Sequence, residues 1–156
     1  MDKSTAHTDA RVAAIRVPAM NASLALLVAS GPTGPFATVS LYGTAKPAPG
    51  DPPGAAPIVT INLTETAGVV DTDLFQIKLD APVEGQIDGA DPTLGTIPLW
   101  GRVSDPAGAW WGDVTVTVEG SGGEIQVEQT GIENSVPVAR LYNGAFCRLT
   151  SMTFQG

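Results

Sequence analysis

Residues 112–118 alternate without a break: Val114, Val116 and Val118 fall on one face of an extended chain, and Asp113, Thr115 and Thr117 on the other. Successive side chains of a β-strand point to opposite sides, so a period of two sets one face against a core. Residues 145–154 repeat the pattern less regularly, with Phe146, Met152 and Phe154 expected on one face. Further strands are expected at 36–42, 58–64, 74–80, 97–103, 124–128 and 136–141, separated by clusters of Gly, Pro, Asn and Asp. Phe75, Ile77 and Leu79 are expected to point inward. About eight strands with no strand–helix alternation predict an all-β chain. The expected architecture is an antiparallel β-sandwich or jelly roll with an N-terminal arm and one short helix.

Local signals refine that outline. Residues 1–17 are expected to form a flexible N-terminal arm, and 18–156 a single β-sandwich domain. Pro18 suits the first turn of a helix, so a short helix is expected over 19–29, closed by Gly31. Met20, Leu24 and Leu27 would form its core-facing stripe, and an extended strand over 24–29 is the competing reading. Lys3, Arg11 and Arg16 before the apolar run 24–31 give a faint likeness to a signal peptide. The run is short and its approach is broken by Pro18, Asn21 and Ser23, so a signal peptide is not expected. Residues 46–57 form a stiff Pro/Gly-rich loop. Ser104 to Gly108 should join two strands as a hairpin, Gly120 to Gly123 should be a turn, and Asn143-Gly144 is a hairpin-turn signal.

Composition narrows the classes of function. The chain of 156 residues is 43% hydrophobic, enough for a core, but only 15% charged, with a net charge of −8. Scattered basic residues and a negative balance argue against nucleic acid and against an anionic membrane surface. No apolar run approaches the ~20 residues of a membrane-spanning helix. A surface rich in Thr, Ser, Ala and Gly suits close packing against other protein.

Reactive groups are sparse. Cys147 is the single cysteine and is expected to be a buried apolar residue. His7 is the single histidine, so neither a zinc site of usual type nor a Ser-His-Asp or Cys-His arrangement is expected. Asp88-Gly-Ala-Asp91 lacks the spacing of a calcium loop, and Gly120-Ser-Gly-Gly123 lacks the Lys-Ser/Thr of a phosphate loop. Asp71 and Asp73, or Glu124, Glu128 and Glu133, would serve a glycosidase only if held across a cleft. No cofactor is expected. Trp110 and Trp111 should point to opposite faces, one into the core. The other is expected either outward as an interface anchor or under the loop 46–57.

Val39-Ser-Leu-Tyr-Gly-Thr-Ala-Lys-Pro-Ala-Pro49, Leu99-Trp-Gly-Arg-Val-Ser-Asp-Pro-Ala-Gly108, Trp111-Gly-Asp-Val-Thr-Val116 and the closing strand follow one another after a polar arm. In this order they resemble the small virion proteins encoded among the head and tail genes of tailed bacteriophages. The resemblance implies a structural protein of the capsid decoration (cement) type: a trimer made in the host cytoplasm and bound to the major capsid protein on the capsid exterior. Trp100, Trp110, Trp111, Arg11 and Arg16 are then the candidate interface residues. A tail, fibre or adsorption module is the alternative, and a glycan-active enzyme is a third class.

Overall fold

The computed structural model describes residues 4–155. One helix, α1 (Thr5–Ala25), precedes eleven strands. These are β1 (Thr38–Tyr42), β2 (Val59–Asn62), β3 (Gly68–Asp71), β4 (Gln76–Leu79), β5 (Val83–Gln86), β6 (Trp100–Ser104), β7 (Trp110–Val118), β8 (Ile125–Val127), β9 (Gly131–Glu133), β10 (Val136–Val138) and β11 (Phe146–Gln155). Nine strands form one curled mixed sheet, ordered β2-β1-β6-β7-β8-β11-β4-β3, with β5 also paired to β11. β9 and β10 form a separate hairpin.

The helix is longer than its sequence signals predict. It starts at Thr5 rather than Ala19, so residues 5–17, expected as an arm, are helical. Ser4 caps it, its hydroxyl accepting from the His7 N–H at 3.2 Å, which satisfies one of the open donors of the first turn. Pro18 lies inside the helix, not at its start. Its ring removes one backbone bond from the middle of the helix. Packing offsets that loss: Met20, Leu24 and Leu27 are buried as the core-facing stripe, and the helix lies against β3 and β4.

The long last strand organises the sheet. Along one edge of β11, Phe146–Leu149 pair with β5 and Thr153–Gln155 with β4, while β8 pairs along the other edge. An irregularity between Leu149 and Ser151 separates the two halves. It also changes which side chains face inward. Cys147 and Leu149 are buried before it and Met152 and Phe154 after it, whereas Phe146 is 65% exposed. The expected single face of Phe146, Met152 and Phe154 is therefore broken, because one extra residue flips the alternation. Phe75 also departs from expectation. It sits at φ 51° in the turn before β4 and is half-buried, while Ile77 and Leu79 face the core.

The sheet is not purely antiparallel. β6 and β7 form the expected hairpin, but β7 and β8 run parallel, with Val116 opposite Ile125 and Val118 opposite Val127. Parallel neighbours ordinarily need a crossover of a dozen or more residues. Here residues 119–124 suffice, because the chain folds back along β7 before advancing again. Gly120 and Gly122 adopt φ of 82° and 80°, a region open to glycine at little cost. Gly123 N–H then donates to Thr117 Oγ1 and Glu124 N–H to Thr115 Oγ1. Asn143-Gly144 also makes its turn without joining paired strands: β10 pairs with β9, and Leu141 bridges Thr96.

Curling brings the β2 edge against β5. Just beyond them Gly89 N–H donates to the Ile58 carbonyl at 3.0 Å. Inside the curl, Val39, Leu41, Ile61, Val103, Ile125 and Leu149 are all buried.

Candidate interaction surface

The outer face of β1, β6 and β7 carries a covered polar cluster. Arg102 stands opposite Ser40 on one side and Asp113 on the other. Its Nε donates to Asp113 Oδ1 at 2.7 Å and its Nη2 to Oδ2 at 2.9 Å. Nη2 also donates to the Asp51 carbonyl at 2.8 Å, which ties the Pro/Gly-rich loop down over the sheet. The two side chains are only 10% and 6% exposed. Burial alone would raise the Asp113 pKa, but the Arg102 hydrogen bonds and charge, with the Trp110 indole, outweigh it and hold the carboxyl below its usual value. The same hydrogen bonds raise Arg102.

Trp100, a candidate interface residue, belongs to this cluster and is buried. Its ring stacks on Tyr42 with centroids 4.4 Å apart, its Nε1 donates to the Thr44 carbonyl at 2.9 Å, and the Arg102 guanidinium lies 5.6 Å from the ring centre. It anchors the chain at Thr44 from within the fold.

Trp110 and Trp111 go to opposite faces. Trp111 is half-buried: its Nε1 donates to the Ser23 carbonyl of α1 at 3.0 Å, and its ring meets Phe154 edge-on at 5.4 Å. Together with Met20, Ala19 and Ile77 these rings line a cleft of about 310 Å³ beside the helix. Trp110 is 47% exposed. Its ring edge also stands over Gly50, where an added Cβ would lie 3.7 Å from Cζ3. Trp110 thus combines the two expected placements, outward and against the loop.

Arg16 lies on the sheet side of α1 with its guanidinium 4.9 Å from the centre of Phe75, whereas Arg11 is exposed on the helix. The tertiary fold brings Arg16 and Trp111 to one cleft and leaves Arg11, Trp100 and Trp110 apart from it. Arg102 and Asp113 were not singled out by sequence reasoning. The signal was an Arg and an Asp inside strand patterns, and only the strand register reveals that they face each other.

Four of the five carboxylates considered for catalysis have structural partners. Asp71 accepts from the Asp73 and Leu74 N–H groups and pairs with Lys78 at 2.6 Å, and the Lys78 hydrogen bond does most to lower its pKa. Glu124 accepts from Thr115 N–H and Oγ1, Glu128 faces Arg148 at 3.8 Å, and Glu133 pairs with Arg140 at 2.5 Å. Asp91 accepts from the Thr93 and Leu94 N–H groups of its own turn. Among the described residues, no three His, Cys, Asp or Glu side chains converge as metal ligands. Burial pushes the Cys147 thiol up to about 12.

Comparison with known proteins finds no matching family model, no matching curated protein and no matching solved structure. No helix among the described residues is long and apolar enough to cross a membrane.

Proposed function

We propose that this chain is a structural protein of a tailed-phage particle, of the capsid decoration type. It would bind the major capsid protein lattice from outside as a homo-oligomer, for which the resemblance implies three copies. The curled sheet is read here as a jelly-roll-like platform.

The observation that carries this reading is the apolar surface left over. Leu94, Ile132, Phe146, Val69 and Leu99 are 57–71% exposed, on a chain only 15% charged. Of its candidate catalytic carboxylates, meanwhile, Asp71, Glu124, Glu128 and Glu133 are committed to hydrogen bonds and ion pairs within the chain. Apolar side chains exposed singly are ordinary, but many on a charge-poor surface fit a protein that works packed against others. A net charge of −8 suits a location away from packaged DNA.

The test is co-sedimentation of purified protein with preformed heads, followed by capsid melting. The expected result is saturable binding and a raised melting temperature, and heads that neither bind it nor gain stability would end this reading. The exposed Trp110 favours one alternative, a tail or fibre module touching glycan. That alternative predicts glycan binding that disappears in Trp110→Ala.

A further inference from the structure

The first turns of α1 stand clear of the sheet: residues 4–12 are all exposed. A helix segment this short is marginal in water unless something covers it. One lateral face of α1 carries Thr8, Val12, Ile15, Ala19, Ala22 and Leu26, all exposed, with Ile15 at 71% and Leu26 at 60%. Their spacing is 4-3-4-3-4, and no member is charged. That is the seam of a helix that packs against another helix by knobs into holes. It is separate from the Met20–Leu24–Leu27 stripe, which the body of the chain already buries. Pro18 lies about a quarter-turn off the seam at ~100° per residue.

We infer that this face pairs with α1 of a second copy, antiparallel, about a two-fold axis between Val12 and Ile15. The flanking charges choose both the partner and its direction. Asp9 and Arg16 flank the seam on one side and Arg11 on the other. A parallel pair brings Arg11 of one helix against Arg16 of the other, twice, which is repulsive. An antiparallel pair brings Asp9 against Arg16, twice. A guanidinium has five N–H donors, so Arg16 serves a second acceptor while staying over Phe75. In this arrangement Val12 packs on the second copy's Ile15 and Thr8 on its Ala19. The uncovered half of each helix then lies along the anchored half of the other. The contact is isologous and closes on itself. It rests on α1 alone and is independent of whether the protein binds heads.

Two measurements on the full chain test it. Val12→Cys and Ile15→Cys are mixed in equal amounts and mildly oxidised, with the buried Cys147 as a silent background. The expected product is the mixed 12–15 disulfide, and predominance of the same-position disulfides overturns the antiparallel pair. In sedimentation equilibrium, Ile15→Asp is expected to halve the particle mass, whatever the stoichiometry of the rest. It should weaken association by roughly thirtyfold or more. The variant should still melt cooperatively as a folded monomer, with helical signal lost only from the first turns of α1, because Ile15 is 71% exposed and only borders the cleft beside the sheet. Equal masses for wild type and Ile15→Asp, or a monomeric wild type, overturn the inference.

Discussion

Arg102 and Asp113 face each other across the β6–β7 pair, closed by two hydrogen bonds of 2.7 and 2.9 Å under a loop that Arg102 itself holds down. Removing one partner leaves a buried charge without compensation, which typically costs about 3–5 kcal/mol. Arg102→Met and Asp113→Asn are therefore each expected to lose stability of that order in urea unfolding. The double variant Arg102→Met/Asp113→Leu should regain much of it, since the desolvation penalty of both charges disappears. Single variants within about 0.5 kcal/mol of wild type would show the pair to be dispensable.

The same pair sets part of the acid response. Asp113, Asp71, Asp91 and Glu133 all have pKa values lowered by folding. Below their unfolded values, near 4 for Asp and Glu, the unfolded chain binds more protons than the folded one. Stability is therefore expected to be flat from neutral pH to about 5, then to fall as pH drops through the folded pKa values. Thermal melts from pH 7 to pH 2 measure this, and Asp113→Asn should show a shallower acid slope.

Closure of the curl depends on Gly89. An added Cβ there would lie 2.1 Å from the Pro57 carbonyl oxygen, a backbone atom that cannot rotate away. Gly89→Ala should cost about 2–4 kcal/mol, in the range of strained or overpacked sites. Gly31→Ala meets nothing within 4 Å and should stay within about 0.5 kcal/mol. Paired chemical denaturation curves compare the two.

Trp111 fastens α1 to the sheet through its Ser23 bond and its Phe154 contact. Trp111→Ala is expected to cost about 2 kcal/mol or more, and hydrogen exchange should speed up first in residues 20–25. Trp110→Ala should cost less than Trp111→Ala, because nearly half of that side chain is already in water, the loss coming from its support of Asp113 and of the loop at Gly50.

Cys147 is 1% exposed and its thiol is pushed up to about 12 by burial. At pH 8 it should resist a disulfide reagent in the folded protein and react fully in denaturant. Rapid labelling of the native chain would contradict its place in the core.

The period of two was sufficient to locate β1, β2, β4, β7, β8 and β11, because each buries one face and shows it in its sequence. It does not mark β3, β5 or β9. β3 and β5 alternate only between half-buried and exposed positions, so no apolar face marks them, and β9 has just three residues. The early start of α1 is hidden for a related reason. Among residues 5–17 none is buried and only Val17 packs on the core, and Pro18 argues for a helix start, while the capping Ser4 is a local sign of an earlier beginning. For the candidate surface, the opposite facing of Trp110 and Trp111 is legible from their adjacency, but which of the two is exposed is not. The burial of Trp100 was not, since it depends on a loop that folds back from fifty residues earlier.

By itself the sequence determined that this chain is mostly β, where its longest strands lie, and that reactive groups are few. Those are properties of local periodicity and composition. The tertiary structure decided the parallel β7–β8 pair, the division of β11 between β4 and β5, and the meeting of Arg102 with Asp113. Each is a pairing between segments, and register and sheet order are set by which faces can be buried together, which a single strand's pattern does not contain.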